Sequence, residues 1–268
     1  MSAHMKNRVA LVTGSVQGIG LAIATSLAEA GARIALHGLA EQAQIDAAVA
    51  ELRAAGASDV KFFGGDLRQP ANLEALIEAV EGWGPIDVLV NNAGIQSTAS
   101  LKDVTPELWN AIIAVNLSAA FHTMHHVMPK MAERGFGRVV NISSVHGLVA
   151  SKDKAPYVAA KHGLVGLSKV AAQEYATAGS KASGGVTVNC ICPGWTETTL
   201  IEPQVVARAE QFGGDRDAGI ASLLSEKQPT QRTSDPSEIG ALAVWLCSPV
   251  AHNVTGTAIP VDGGWTSQ

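Results

Sequence analysis

Three side chains near the middle of the chain have the types and spacing for proton chemistry. Tyr157 and Lys161 stand four apart in Tyr157-Val-Ala-Ala-Lys161, and Ser144 lies thirteen residues before the tyrosine. Positions four apart share one face of a helix, so the phenol and the ammonium point the same way. A free phenol has a pKa of about 10, too high for an efficient base near neutrality. A neighbouring ammonium favours the phenolate and lowers that value. Ser144 can hydrogen-bond an oxygen that changes between alcohol and carbonyl. Tyr-x-x-x-Lys alone is common, and by itself describes an ordinary buried helix with a surface lysine.

A second feature gives that set a context. The stretch from Val9 reads Val9-Ala-Leu-Val-Thr13-Gly14-Ser15-Val-Gln17-Gly18-Ile19-Gly20. Residues 9–12 are a short apolar run, the pattern of a buried parallel strand. Apolar residues then recur at helical spacing up to Gly31, which acts as a stop. Strand, glycine turn and helix together cradle a dinucleotide: the glycines let the pyrophosphate approach, and the helix N-terminus attracts its charge. A bound pyridinium would add to Lys161 in supplying the roughly 4 kcal/mol that a 3-unit lowering of the tyrosine requires.

The elements that must position these residues follow from the alternation of patterns. Strand-like runs at 8–13, 32–37, 60–63, 86–90, 137–142, 186–191 and 257–261 alternate with helical runs. The helices fall near 18–30, 41–55, 70–82, 106–132, 156–177 and 235–247. This is the signature of an α/β fold: one Rossmann-type, doubly wound domain over residues 6–268, with a mostly parallel seven-stranded sheet and helices on both faces. Residues 1–5 are expected to be a flexible start or tag remnant. A length of 268 residues with 47% hydrophobic content is ample for such a core. A net charge of −5 argues against nucleic acid or an anionic membrane surface as the main partner. No run of 18 apolar residues and no signal-peptide core is present, and the three cysteines, Cys190, Cys192 and Cys247, suit reduced thiols in a cytoplasmic protein.

The motifs Thr13-Gly-x-x-x-Gly-x-Gly20, Asn91-Asn-Ala-Gly94, Asn116, Ser144, Tyr157-x-x-x-Lys161 and Pro193-Gly194 occur in one order that resembles the short-chain dehydrogenase/reductase family. The resemblance runs from about Lys6 to the C-terminus. It implies a catalytic set of Asn116, Ser144, Tyr157 and Lys161. For the cofactor it implies Thr13, Gly14, Ser15, Gln17, Gly18, Ile19 and Gly20 in the turn, then Asn92, Ala93 and Gly94, then Pro193, Gly194 and Thr198, with Tyr157 and Lys161 also in contact. It assigns Asp66 to the adenine amine and Leu67 to packing nearby, although Asp66 also suits a cap for the helix starting near Pro70. Asn91 reads as a brace for the sheet, and Asn116 as the holder of a water that leads to the lysine. The second strand ends at His37-Gly38-Leu39, with neither the acid that binds ribose hydroxyls nor the arginine that accepts the phosphate of NADP. Gln17 is likewise uncharged, which tilts the choice to NAD.

Gln96, His146, Lys154, Trp195, Gln204 and Trp265 narrow the substrate. With His146-Gly-Leu-Val-Ala-Ser151, Val158-Ala-Ala-Lys-His-Gly163 and Ser225-Glu-Lys-Gln-Pro229, they resemble the branch of the family that oxidises D-3-hydroxybutyrate. Lys154, His146, Gln96 and Gln204 suit a carboxylate, and the two tryptophans suit a methyl group. Each also has an ordinary reading, as solvated charge, turn cap or core. The branch implies a small 3-hydroxy or 3-oxo acid substrate, with Ser144 and Tyr157 at the reacting oxygen, and a homotetramer. Two rivals are an NADPH-dependent reductase of 3-oxoacyl thioesters and a non-catalytic cofactor-binding regulator. Residues 196–228, broken by Pro203, Gly213-Gly214 and Gly219, read as a substrate lid. Pro156 is tolerable in a first helical turn. Glu197 should face outward, since it would repel an acid. Residues 179–185 read as a loop slightly longer than usual. His122, His125 and His126 read as surface or interface residues, and no metal site is expected.

Overall fold

The computed structural model describes residues 4–267. Seven strands form one sheet: β1 (Val9–Val12), β2 (Arg33–Gly38), β3 (Val60–Gly64), β4 (Ile86–Asn91), β5 (Phe136–Ile142), β6 (Gly185–Pro193) and β7 (Ala258–Val261). Their order is β3-β2-β1-β4-β5-β6-β7, and every neighbouring pair is parallel. The order reverses beside β1, which places a crevice beyond the carboxyl ends of β1 and β4.

Alternation along the strands divides the core. Ala10 and Val12 join Ile34, Leu36, Val88 and Val90 on one face, under α1 (Gly18–Glu29), α2 (Gln42–Ala54) and α9 (Pro236–Cys247). Val9 and Leu11 join Leu89, Val139 and Val188 on the other, under α3 (Pro70–Trp83), α5 (Ala119–Arg134) and α6 (Ala155–Glu174). The strands are buried on both faces, which is why they read as continuous apolar runs.

The structure departs from the helical expectation at 106–132. That stretch is α4 (Pro106–Ile113), one π-helical turn (Ala114–Ser118) and then α5. The π segment is five residues, about one turn, too short for its longer period to show in the apolar pattern. Asn116 lies within it, and its amide nitrogen donates to Ile112 O and Ile95 O at 2.9 Å each. Pro156 sits in the first turn of α6, where its missing N–H leaves nothing unpaired.

Between β6 and α9 the chain makes a helical excursion, α7 (Glu202–Ala209) and α8 (Arg216–Lys227). Ser234 N donates to Trp195 O at 2.8 Å and Glu197 N to Ser234 O at 3.1 Å, pinning its two ends together. Glu197 is exposed and accepts from Thr233 Oγ1, so it faces outward as expected. Met1 to Ala3 lie outside the described residues, whereas Met5 is buried in the core and donates its backbone N–H to Ala30 O.

Candidate active site

A cavity of about 610 Å³ opens beyond the carboxyl ends of the strands. One end is built from backbone. Gly14 and Gly18 follow β1 with φ of +62° and +58°, a left-handed conformation that side-chain-bearing residues rarely adopt. Gln17, the N-cap of α1, makes no side-chain cap, so the first-turn N–H groups of α1 are left for an anion. A Cβ at Gly20 would stand 2.2 Å from Gly14 O, which holds the helix start close against the turn. Thr198 packs over Gly18, and Pro193, Gly194, Ala93 and Gly94 complete this wall with Ile19. The geometry fits the pyrophosphate of a dinucleotide.

Thr13, Ser15, Gly20 and Asn116, expected to touch the cofactor or act in catalysis, stand behind the wall and brace it. Thr13 Oγ1 accepts from Asn92 N at 3.0 Å and Ala93 N at 3.1 Å. Asn92 Nδ2 returns bonds to Thr13 O and Gly14 O. Ser15 Oγ accepts from His37 N at 3.0 Å. Asn91 donates to Asn141 and accepts from Thr123 inside the sheet, a brace as expected. Asn116 Oδ1 is buried without a partner beside a small cavity of about 10 Å³ that Asn116 shares with Lys161.

The adenosine end holds two residues whose roles the sequence did not show. His37 is 2% exposed. Its Nε2 lies 3.1 Å from Gly65 O, an acceptor only, so Nε2 carries the hydrogen. Nδ1 is then bare and accepts from Gly14 N at 3.4 Å. Burial pushes this imidazole down to about 4, so it is neutral. Asp66 lines the cavity, but its carboxylate is held by Arg68, whose Nη2 lies 2.6 Å from Oδ2. Those hydrogen bonds keep Asp66 below its ordinary value. The alternative cap on α3 is not formed, because Gln69 is the N-cap and Asp66 instead accepts from Arg68 N. Leu67 is buried alongside.

At the other end Ser144, Tyr157 and Lys161 converge from β5 and α6. Ser144 hydrogen-bonds Tyr157, which lowers the phenol, but burial outweighs it and pushes Tyr157 up to about 12. Lys161 Nζ lies 5.6 Å from the Tyr157 ring and donates to Ile142 O at 2.8 Å. Burial brings Lys161 down to about 8. The lowering expected from Lys161 together with a bound pyridinium is a property of the complex, and in the protein alone burial outweighs it. Burial thus dominates at both groups in the protein alone, and a positive charge bound beside Tyr157 would favour its phenolate.

Beyond this pair lies a pocket of side chains. Trp195 and Trp265 stack with ring centroids 6.2 Å apart. Lys154, 8% exposed, donates to Gln204 Oε1 at 2.8 Å and sits 5.6 Å from the Trp195 ring. Gln96 lines the same wall. Burial, then the charge of Lys227, brings Lys154 down to about 8. Lys227, at the end of α8 and 5.7 Å from the Trp265 ring, is a second cation that the sequence reading missed. His146 also lines the cavity, yet both its ring nitrogens are engaged: Nδ1 lies 3.3 Å from Ser144 Oγ and Nε2 2.9 Å from Ser151 Oγ. Gln228, also missed, is 2% exposed and its Oε1 accepts from Trp195 N at 3.2 Å, fixing that wall. Among the described residues no cluster of side chains is suited to a metal ion.

Residues 8–208 match the family described as short chain dehydrogenase. The chain belongs to the short-chain dehydrogenase family. It is 46% identical to the D-beta-hydroxybutyrate dehydrogenase of Cupriavidus necator, over 98% of this chain and 100% of that one. It is 41% identical to the D-beta-hydroxybutyrate dehydrogenase of Rhizobium meliloti, over 97% and 99%. Among solved structures, L-sorbose reductase from Gluconobacter frateurii, complexed with NADPH and L-sorbose, superposes with a TM-score of 0.92 at 29% identity, covering 100% of both chains. The family binds a nicotinamide cofactor, and Pro193, Gly194, Ser144 and Tyr157 line the same cavity as the glycine turn.

Proposed function

We propose that this short-chain dehydrogenase interconverts (R)-3-hydroxybutyrate and acetoacetate with NAD. The observation that carries the reading is the buried Lys154 ammonium, held by Gln204 beside the stacked tryptophans and beyond the Ser144–Tyr157 pair. A small acid that places its hydroxyl at Ser144 and Tyr157 extends its carboxylate toward Lys154, and Trp195 and Trp265 pack on its methyl group. The indole N–H of Trp195 is buried without a protein partner and is a further donor for the ligand. Gln96 completes the polar side of the pocket.

Ser144 positions the oxygen, and Tyr157 takes the hydroxyl proton during oxidation. Lys161 holds the cofactor ribose and favours the phenolate. Asn116 supports proton exit through the small cavity beside Lys161, where one water would fit and would satisfy its orphaned oxygen. A bound nicotinamide would supply the hydride acceptor and a positive charge that, with Lys161, favours the phenolate of Tyr157.

The adenosine end supports NAD over NADP. Leu39 is 71% exposed there, His37 is neutral, and Arg68 is engaged by Asp66, which favours a cofactor without a 2′-phosphate. The excursion over 196–228 serves as the lid: Val205, Leu223 and Leu224 pack on Trp195 and Trp265, and Gln204 reaches Lys154. Phe121 on α5 and Val170 on α6 remain exposed, which supports pairing of these helices in a homotetramer. No described helix is long and apolar enough to cross a membrane. A cytoplasmic setting accords with three free, buried cysteines.

Initial rates with (R)-3-hydroxybutyrate and either NAD or NADP, followed as reduced cofactor, test the reading. Fast turnover with NAD and slow turnover with NADP is expected. Absence of turnover with both, alongside rapid reduction of acetoacetyl-CoA, would return the pocket to the thioester reductase reading.

A further inference from the structure

The tryptophan wall of the pocket is held from behind by a carboxylate that the mechanism does not use. The chain turns sharply after β7, with Gly263 and Gly264 at φ of +57° and +90°. Asp262 ties that turn. Its Oδ1 accepts from Gly264 N at 3.0 Å, and its Oδ2 accepts from Thr266 N at 2.8 Å and Thr266 Oγ1 at 2.6 Å. Its carbonyl accepts from Trp265 N at 3.2 Å. The carboxylate thus brackets Trp265 on both sides, and hydrogen bonds to an ionised acceptor are the strong ones. Asp262 is 7% exposed, so little water competes for these donors.

The turn is docked as well as tied. Gly263 O accepts from Thr230 N at 3.1 Å, on the segment that returns from α8. The same segment grips Trp195, whose N–H is taken by Gln228 Oε1 and whose carbonyl accepts from Ser234 N. A Cβ at Gly194 would stand 2.9 Å from both Asp262 Cα and Gln228 Oε1, so the two backbones meet with no space between them. The indoles stack 27° from parallel, and His146 packs on Trp265 with ring centroids 5.5 Å apart. A wall packed in this way resists even one added methylene.

We propose that Asp262 is a positioning residue that sets how long an acid the pocket admits: by bracketing Trp265 it holds that indole against Trp195 and stiffens the wall that meets the alkyl end of the substrate. This rests on the reading that the alkyl end of a 3-hydroxy acid packs on the two tryptophans. A four-carbon acid then ends with its methyl group on the indoles. Each further methylene runs into a wall that does not yield, and overpacking of that kind is unfavourable. Trp265 lines the cavity, and Asp262 acts through it.

The test compares the intact protein with Asp262→Ala and with the milder Thr266→Val, which removes a single side-chain bond. The first readout needs no substrate: the exciton couplet that stacked indoles give in far-ultraviolet circular dichroism, identified by its loss in Trp265→Phe. It should vanish in Asp262→Ala and shrink in Thr266→Val. The second readout is turnover of (R)-3-hydroxybutyrate and (R)-3-hydroxypentanoate with NAD. The preference of the parent for the shorter acid, in kcat/KM, should be about thirtyfold, falling to about tenfold in Thr266→Val and about threefold in Asp262→Ala, the scale of one methylene in a pocket. Dinucleotide affinity should be kept in both variants. A couplet indifferent to Asp262→Ala, a preference unchanged while the couplet is lost, or a parallel loss of dinucleotide affinity in both variants overturns the proposal. Absent turnover of both acids overturns the hydroxybutyrate reading and the length limit with it, while the couplet still decides whether Asp262 holds the wall.

Discussion

The two ends of the cavity are made of different material. The glycine-loop end is backbone: peptide groups of a turn, a helix start and the ends of β1 to β4, with His37 locked between Gly14 N and Gly65 O. The opposite end is side chains from distant segments, with Lys154 reaching Gln204 fifty positions away and Trp195 stacked on Trp265. Backbone geometry tolerates almost any sequence that keeps the glycines, so one cradle serves many enzymes. Side-chain geometry changes with each residue, so the pocket carries the substrate choice. The two histidines repeat the contrast, since carbonyl and amide meet one and two hydroxyls meet the other.

Breaking the chemistry without disturbing either wall should have the largest effect. Tyr157→Phe is expected to lower kcat by about 10³-fold or more while dinucleotide affinity, followed by fluorescence titration, is kept. Near-normal turnover would remove Tyr157 from the mechanism.

Next in size is damage to the backbone end. In Gly20→Ala the added Cβ meets Gly14 O, and overpacking of about 2 kcal/mol, roughly a thirtyfold loss, should appear in dinucleotide affinity and in Tm. Unaltered values for both would mean the turn is looser than its contacts indicate.

The side-chain end should yield more selectively. Lys154→Met is expected to raise KM for 3-hydroxybutyrate about twentyfold, the scale of a charged hydrogen bond, and to leave dinucleotide affinity alone. The pH dependence gives a second check. Lys154 is lowered from 10.5 to about 8, so its charge is present below that pH and lost above it. Affinity for butyrate, a carboxylate that cannot react, should weaken above pH 8 in the parent and show no such fall in Lys154→Met.

The smallest effect sharpens the comparison most. Lys227 lies beside the pocket wall, and its charge is one cause of the lowered Lys154 value. Lys227→Met should weaken butyrate about twofold at low salt and hardly at all at high salt. Removing a like charge raises Lys154, so the alkaline fall must move to higher pH. A fall that stays in place would show that the two ammonium groups do not sense each other.

Most strands were legible because burial on both faces makes them apolar throughout, and the glycine turn was legible because its requirements are local. Tyr157 and Lys161 were legible for the same reason, being one helical turn apart. Arg68, Lys227 and Gln228 were not, because each acts through a partner or a wall brought to it by folding. Thr13, Ser15 and Asn116 were found as residues yet stand behind the wall, since a motif records position in the chain and not which side of a loop a side chain takes.

By itself the sequence determined the parallel sheet, the cradle and the identity of the serine, tyrosine and lysine, since these depend on periodicity and spacing within single elements. Only the tertiary structure decided that Asp66 is held by Arg68, that burial raises the phenol of Tyr157, and that His146 is bound between two serines. Those outcomes depend on burial and on contacts between segments, and desolvation has no counterpart in the order of residues along a chain.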